Sequence, residues 1–275
     1  MVAHVWRPPS TRSRTGLLLL DAIAGARPDD GPVTTTDSGD VTYAGVLAEG
    51  RSLYPGIRIG RPGRARSYWP MIAATRLLRF HWDVDLQGAE NVAPGAGILI
   101  GNHQSAFDPV AVVMSVWWRV TAFTKVEVFE KRGAFFFRFM GQIPLRRGHT
   151  GSTEWAMRMS ALALADGGKI GLYPEGTRSP DPARLHRLHK RVLIPVLQTN
   201  PDVPAYAITT RYTSRRRRRT HVQVRISPPL ALDAHAMTPD EMTDMVRDAL
   251  LELGGQSYVD EYAGVVKRRN MRKSS

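Results

Sequence analysis

A chain of 275 residues that is 43% hydrophobic can bury a substantial core, and its lack of cysteine excludes a disulfide framework, a cysteine zinc site and a cysteine nucleophile. A formal charge of +13 calls for a polyanionic neighbour, either nucleic acid or an anionic membrane surface. No apolar run reaches the roughly 18–20 residues needed to span a bilayer; the best, Val110 to Trp118, stops at Arg119.

Residues 1–66 are rich in Pro, Gly, Arg, Thr and Asp and weakly periodic, which reads as a mostly disordered N-terminal extension with one ordered candidate near Leu17–Ile23. The stretch after Arg12 and Arg14 is too short, and too broken by Asp21, for a secretory leader. The expected location is therefore the cytoplasmic face. A uniform fold is expected over residues 67–262, followed by a basic tail at 263–275.

Within that unit Tyr68–Phe80 is predicted as a helix with Trp69, Ile72, Leu77 and Phe80 as its apolar side. Val84–Leu86, Ile98–Ile100 and Val120–Phe123 read as strands, and Pro109 opens a helix at its first turn. Lys131–Met140 reads as a Phe-rich helix and Gln142–Leu145 as a strand. Ser152–Asp166 is a helix stopped by Gly167-Gly168. Strands follow at Lys169–Tyr173, Tyr206–Tyr212 and Val222–Ile226. Thr238-Pro239-Asp240-Glu241 is a capping box for a helix carrying Met242, Val246, Leu250 and Leu253. Strands alternating with helices predict an α/β fold with a largely parallel central sheet flanked by helices.

Three segments carry chemistry. Asn102-His103-Gln104-Ser105-Ala106-Phe107-Asp108 follows a buried strand and precedes a helix. A histidine there can act as a general base, with a carboxylate five residues on folding back to fix its tautomer. The same residues, read alone, also fit a loop histidine and a helix cap. Tyr173-Pro174-Glu175-Gly176-Thr177-Arg178-Ser179 follows another strand, and Arg178 offers a planar fork suited to phosphate. Gly141-Gln142-Ile143-Pro144-Leu145-Arg146-Arg147-Gly148 ends in two arginines that can hold a phosphate or simply face water.

Together, in this order and spacing, these segments resemble the signature blocks of the glycerolipid acyltransferase family, in its 1-acylglycerol-3-phosphate branch. Phe123-Thr124-Lys125-Val126-Glu127 resembles that family's Ala-Lys-x-Glu segment, and Gly255–Tyr262 resembles the tails of actinobacterial members. The resemblance covers about residues 68–262. It implies a glycerol-3-phosphate acyltransferase-like fold, with His103 as general base and Asp108 as its orienting partner. It also implies that Arg146, Arg147, Glu175, Gly176, Thr177 and Arg178 bind the acceptor's glycerol-phosphate part. The implied reaction moves a fatty acyl group from acyl-CoA or acyl carrier protein to the sn-2 hydroxyl of 1-acylglycerol 3-phosphate, giving phosphatidate, with no cofactor, no metal and no covalent enzyme intermediate. Backbone N–H groups near these loops would meet the developing oxyanion. Two departures touch the acyl pocket and loop shape: Val203-Pro204 has one proline where many members have two, and Pro182 stands where glycine is frequent.

Arg215–Arg219 and the tail's Lys267, Arg268, Arg269, Arg272 and Lys273 read as contacts to an anionic membrane surface, with Trp117, Trp118 and Phe135–Phe137 as interface candidates. His186 and His189 read as part of a basic surface. A nucleic-acid module would explain the charge but none of the three blocks, so no nucleic-acid partner is expected. The same chemistry on another lysophospholipid, glycerol 3-phosphate or a glycolipid is the nearer alternative.

Overall fold

The computed structural model describes residues 43–62, 68–130, 141–214 and 219–273. The expected order near Leu17–Ile23, the Lys131–Met140 helix with its phenylalanines, and Arg215–Arg218 lie outside those residues. So do positions 1–42 of the expected extension.

Strands β1 (Trp82–Gln87), β2 (Gly97–Gly101), β3 (Val120–Lys125), β4 (Ile143–Leu145), β5 (Lys169–Leu172), β7 (Ala205–Ser214) and β8 (Thr220–Pro229) form one seven-stranded sheet. Its order is β1-β8-β7-β2-β5-β3-β4, and every neighbouring pair is parallel except β7 with β8. Two further strands, β6 (Arg184–His186) and β9 (Ser257–Val259), pair in parallel outside it.

The pleat of β2 sorts its side chains between two helical layers. Ile98 and Ile100 join a core shared with helices α5 (Thr150–Ala165), α6 (Lys190–Thr199) and α7 (Pro239–Gly254). Leu99 faces the opposite core, with Ile208, Val222 and Val224 under α2 (Tyr68–Thr75) and α3 (Asp108–Ser115). With both faces covered, β2 is buried at every position and can be continuously apolar. The predicted capping box is present: Thr238 accepts from the Glu241 N–H and the Glu241 carboxylate accepts from the Thr238 N–H.

Two expectations are corrected. The segment before residue 66 is ordered at α1 (Tyr43–Leu53), which packs on α5. Trp155 donates its indole N–H to the Val46 carbonyl at 2.7 Å, Arg158 pairs with Glu49, and Gly50 leaves space for the Trp155 ring. The apolar side expected for Tyr68–Phe80 does not hold: Ile72 is buried, but Trp69, Leu77 and Phe80 are exposed. The α-helix tightens to a 3-10 turn over Arg76–Phe80, and three residues per turn carries Leu77 and Phe80 off the buried stripe. The basic tail is helical over Ala263–Lys273, helix α8.

Candidate active site

In a parallel sheet the C-terminal ends of the strands open on one edge, where loops gather functional groups. Here β7, β2, β5, β3 and β4 run the same way. The loop after β2 brings His103, the loop after β5 brings Glu175 to Arg178, β3 ends on Lys125, and β4 leads into Arg146 and Arg147.

The His103 Nδ1 atom lies 2.8 Å from Asp108 Oδ2. That oxygen also accepts the backbone N–H groups of Gln104 and Ser105, each at 2.9 Å. Asp108 Oδ1 accepts the hydroxyls of Thr210 at 3.0 Å and Tyr212 at 2.8 Å. Asp108 is 0% exposed and starts α3. Five donors use the lone pairs of this one buried carboxylate and fix its position. An acceptor-only oxygen at Nδ1 makes that nitrogen the N–H of the neutral ring, so the basic lone pair sits on Nε2. The His103 side chain keeps 21% exposure, and its ring stacks on Tyr173 at 4.6 Å.

The second loop clamps His103 through its backbone. The His103 N–H donates to Glu175 Oε1 at 2.8 Å, and the His103 carbonyl accepts the Ser179 N–H at 2.7 Å. The other Glu175 oxygen accepts the His186 N–H at 3.2 Å. Glu175 is 0% exposed, and burial pushes its pKa up to about 7 against the lowering effect of these two N–H groups. It holds the two loops together and is not open to a ligand. The expected substrate contact through its carboxylate therefore gives way to a positioning role.

The other expected binding residues divide. Arg147 reaches across and donates to the Gly176 carbonyl. Gly176 has φ of +70°, and a Cβ there would meet the His189 ring at 2.8 Å, so this turn requires glycine. Arg178 is exposed and Thr177 is half-buried beside them. Arg146 instead lies 5.8 Å from the Tyr54 ring, away from this group. Sequence reasoning assigned no role to Lys125, whose pKa is lowered by burial first and next by the charge of Arg147, with Lys267 and Arg178 acting in the same sense and Glu127 opposing. The histidines expected on a basic surface are instead packed. His186 is 1% exposed with Nδ1 at 3.2 Å from the Glu261 carbonyl, and His189 stacks on Tyr262.

The arrangement is a solvent-reachable imidazole, a buried carboxylate that fixes its tautomer, and cations at the ends of the next three strands along the sheet, β5, β3 and β4. It can deprotonate a hydroxyl and hold an anionic substituent of the same molecule.

Residues 83–211 match the family model described as acyltransferase. No curated protein sequence matches the chain. Among solved structures the chain is similar to the crystal structure of the 1-acyl-sn-glycerophosphate (LPA) acyltransferase PlsC from Thermotoga maritima, with a TM-score of 0.54 and 22% identity over 67% of this chain and 77% of that one. This likeness bears on the fold, a mostly parallel sheet flanked by helices.

Proposed function

We propose that this chain, whose residues 83–211 match the acyltransferase family model, moves a fatty acyl group from acyl-CoA or acyl carrier protein to the sn-2 hydroxyl of 1-acylglycerol 3-phosphate, giving phosphatidate. The observation that carries this reading is the His103–Asp108 pair at 2.8 Å, on the same edge of the sheet as Lys125, Arg147 and Arg178.

In this reading Nε2 of His103 takes the proton of the acceptor hydroxyl as that oxygen attacks the thioester carbonyl. Asp108 stabilises the imidazolium that forms. When the tetrahedral intermediate collapses, the C–S bond breaks and the ring returns its proton to the leaving thiolate. The lysophosphatidate phosphate, a planar-fork target for arginine, fits Arg147 and Arg178. Thr177 and the backbone of Gly176 line the same loop, and Arg146 takes no part in the cluster.

A lipid acceptor and a lipid product favour work at a membrane surface. Trp69, Leu77, Phe80, Phe107 and Trp117 are all exposed; Trp69 packs against Trp117, and Phe107 against the half-buried Trp82. Phe107 directly precedes Asp108, so this apolar face adjoins the catalytic pair. No helix among the described residues is long and apolar enough to cross a membrane. The reading is a peripheral protein on the cytoplasmic leaflet, whose anionic lipids suit a chain of charge +13.

The test is thiol release from oleoyl-CoA with lysophosphatidate, using wild type and His103→Ala. Release that needs the acceptor and falls at least about 10²-fold in the variant is expected for loss of a general base. Equal rates would remove His103 as the base. Activity confined to another hydroxyl lipid would keep the chemistry and replace the acceptor.

A further inference from the structure

Residues 256–264 pack along the loops of the site. Gln256 accepts from Asn102, the neighbour of His103, at 3.1 Å and donates to the Pro182 and Arg184 carbonyls. Strand β9 then pairs with β6, and Arg187 grips Asp260 with two donors at 2.8 and 2.7 Å. The Tyr262 ring lies flat on His189 at 4.3 Å, and His189 is the ring packed against Gly176.

Helix α8 begins at that contact. Ala263 is buried, and a Cβ on Gly264 would sit 4.0 Å from the Thr177 methyl. Position 267 comes one turn later on the same helix face as position 264. The helix therefore carries Lys267 over the loop that holds Arg178. The Lys267 charge is felt at Lys125, as are those of Arg147 and Arg178. Among the described residues, no carboxylate lies within ion-pair distance of Lys125, Arg178 or Lys267. Four cations from four separate elements repel one another, and the Glu127 charge offsets only part of this at Lys125 and Arg147.

We infer that Lys267, delivered by the C-terminal helix, completes the anionic headgroup subsite with Lys125, Arg147 and Arg178 and makes that subsite select a phosphate monoester over a phosphodiester. The identity of the anion rests on the acceptor reading above; the convergence of the four cations does not. A monoester can carry close to two negative charges near neutral pH and a diester only one, so a fourth cation favours the monoester. Lys267 is half-buried at the surface and touches no reacting atom, so it is a binding residue.

The experiment measures KM and kcat for lysophosphatidate and for lysophosphatidylglycerol in full-length wild type, Lys267→Met, Lys267→Arg and the distal tail variant Arg272→Met. Lys267→Met is expected to raise KM for lysophosphatidate about tenfold, the scale of one lost charge contact, with kcat and the diester KM nearly unchanged. Lys267→Arg should restore most of the affinity, and Arg272→Met should match wild type. An unchanged monoester KM in Lys267→Met overturns the inference, as does an equal rise in Arg272→Met, which would mean general attraction to the membrane. If wild type is silent toward lysophosphatidate, the acceptor reading fails and inorganic phosphate becomes the probe. Several-fold weaker phosphate binding in Lys267→Met then supports the subsite, and equal binding overturns it.

Discussion

Asp108→Asn isolates the charge of the catalytic carboxylate from its geometry. The carboxylate receives three N–H donors on Oδ2, from His103, Gln104 and Ser105, and two hydroxyls on Oδ1. An amide can point its oxygen at the N–H donors and its NH2 at Thr210 and Tyr212, because hydroxyls accept as readily as they donate. The His103 tautomer is then kept, and only the negative charge is lost. A unit charge about 4 Å from the imidazolium is worth roughly 4 kcal/mol at the effective dielectric near a protein surface. At about 1.4 kcal/mol per tenfold, partial proton transfer in the transition state gives a fall of roughly 10²–10³ in kcat. Steady-state thiol release, with nitrogen-15 spectra of the ring to verify the tautomer, is the assay. A fall of less than about tenfold with the fold intact would refute the role given to the Asp108 charge, and a flipped tautomer would refute the hydroxyl switch.

Glu175 makes stability depend on pH. Its carboxyl stands at about 7 in the folded chain against 4.5 ordinarily, so the folded state holds the proton more tightly. The stability this confers is fully present below pH about 4.5 and is lost as pH rises through about 7, a span of roughly 3 kcal/mol. Glu175→Gln should remove that slope, and denaturant unfolding at about pH 5 and about pH 8 reads it; equal slopes in both proteins would contradict the burial argument. Gly50→Ala puts a Cβ at 2.4 Å from the Trp155 ring and should cost about 1–3 kcal/mol by overpacking. An unshifted melting temperature would mean that α1 is not seated on α5.

The catalytic blocks were legible because each follows a continuously apolar strand and opens on turn residues, as Ile98–Ile100 leads into Asn102–Asp108. What surrounds them was not. Glu175 carries a charge that reads as ligand-facing, and its burial depends on N–H groups of His103 and His186, which no local pattern links to it. His186 is buried because β6 finds β9 about 70 residues downstream, a long-range pairing with no local signature. Thr210 and Tyr212 left one usable trace: they continue the inward face of Ile208 at a spacing of two, and two polar side chains on a buried strand face imply a partner such as Asp108. Helix α1 escaped notice because its partner is Trp155, about a hundred residues away, and only Val46 and Gly50 in it are buried.

The β7 contacts to Asp108 also fix when the proposed catalytic pair can exist. His103 and Asp108 leave the ribosome together, but the hydroxyls that hold the carboxylate come about a hundred residues later, and the Gln256 that braces Asn102 comes later still. Bringing such distant segments together is the slow part of folding. A nascent chain stalled before β7 would carry both catalytic residues and lack the anchors that make them a pair, so acyl-transfer competence is expected to emerge late in synthesis, in one step, without a partially active precursor.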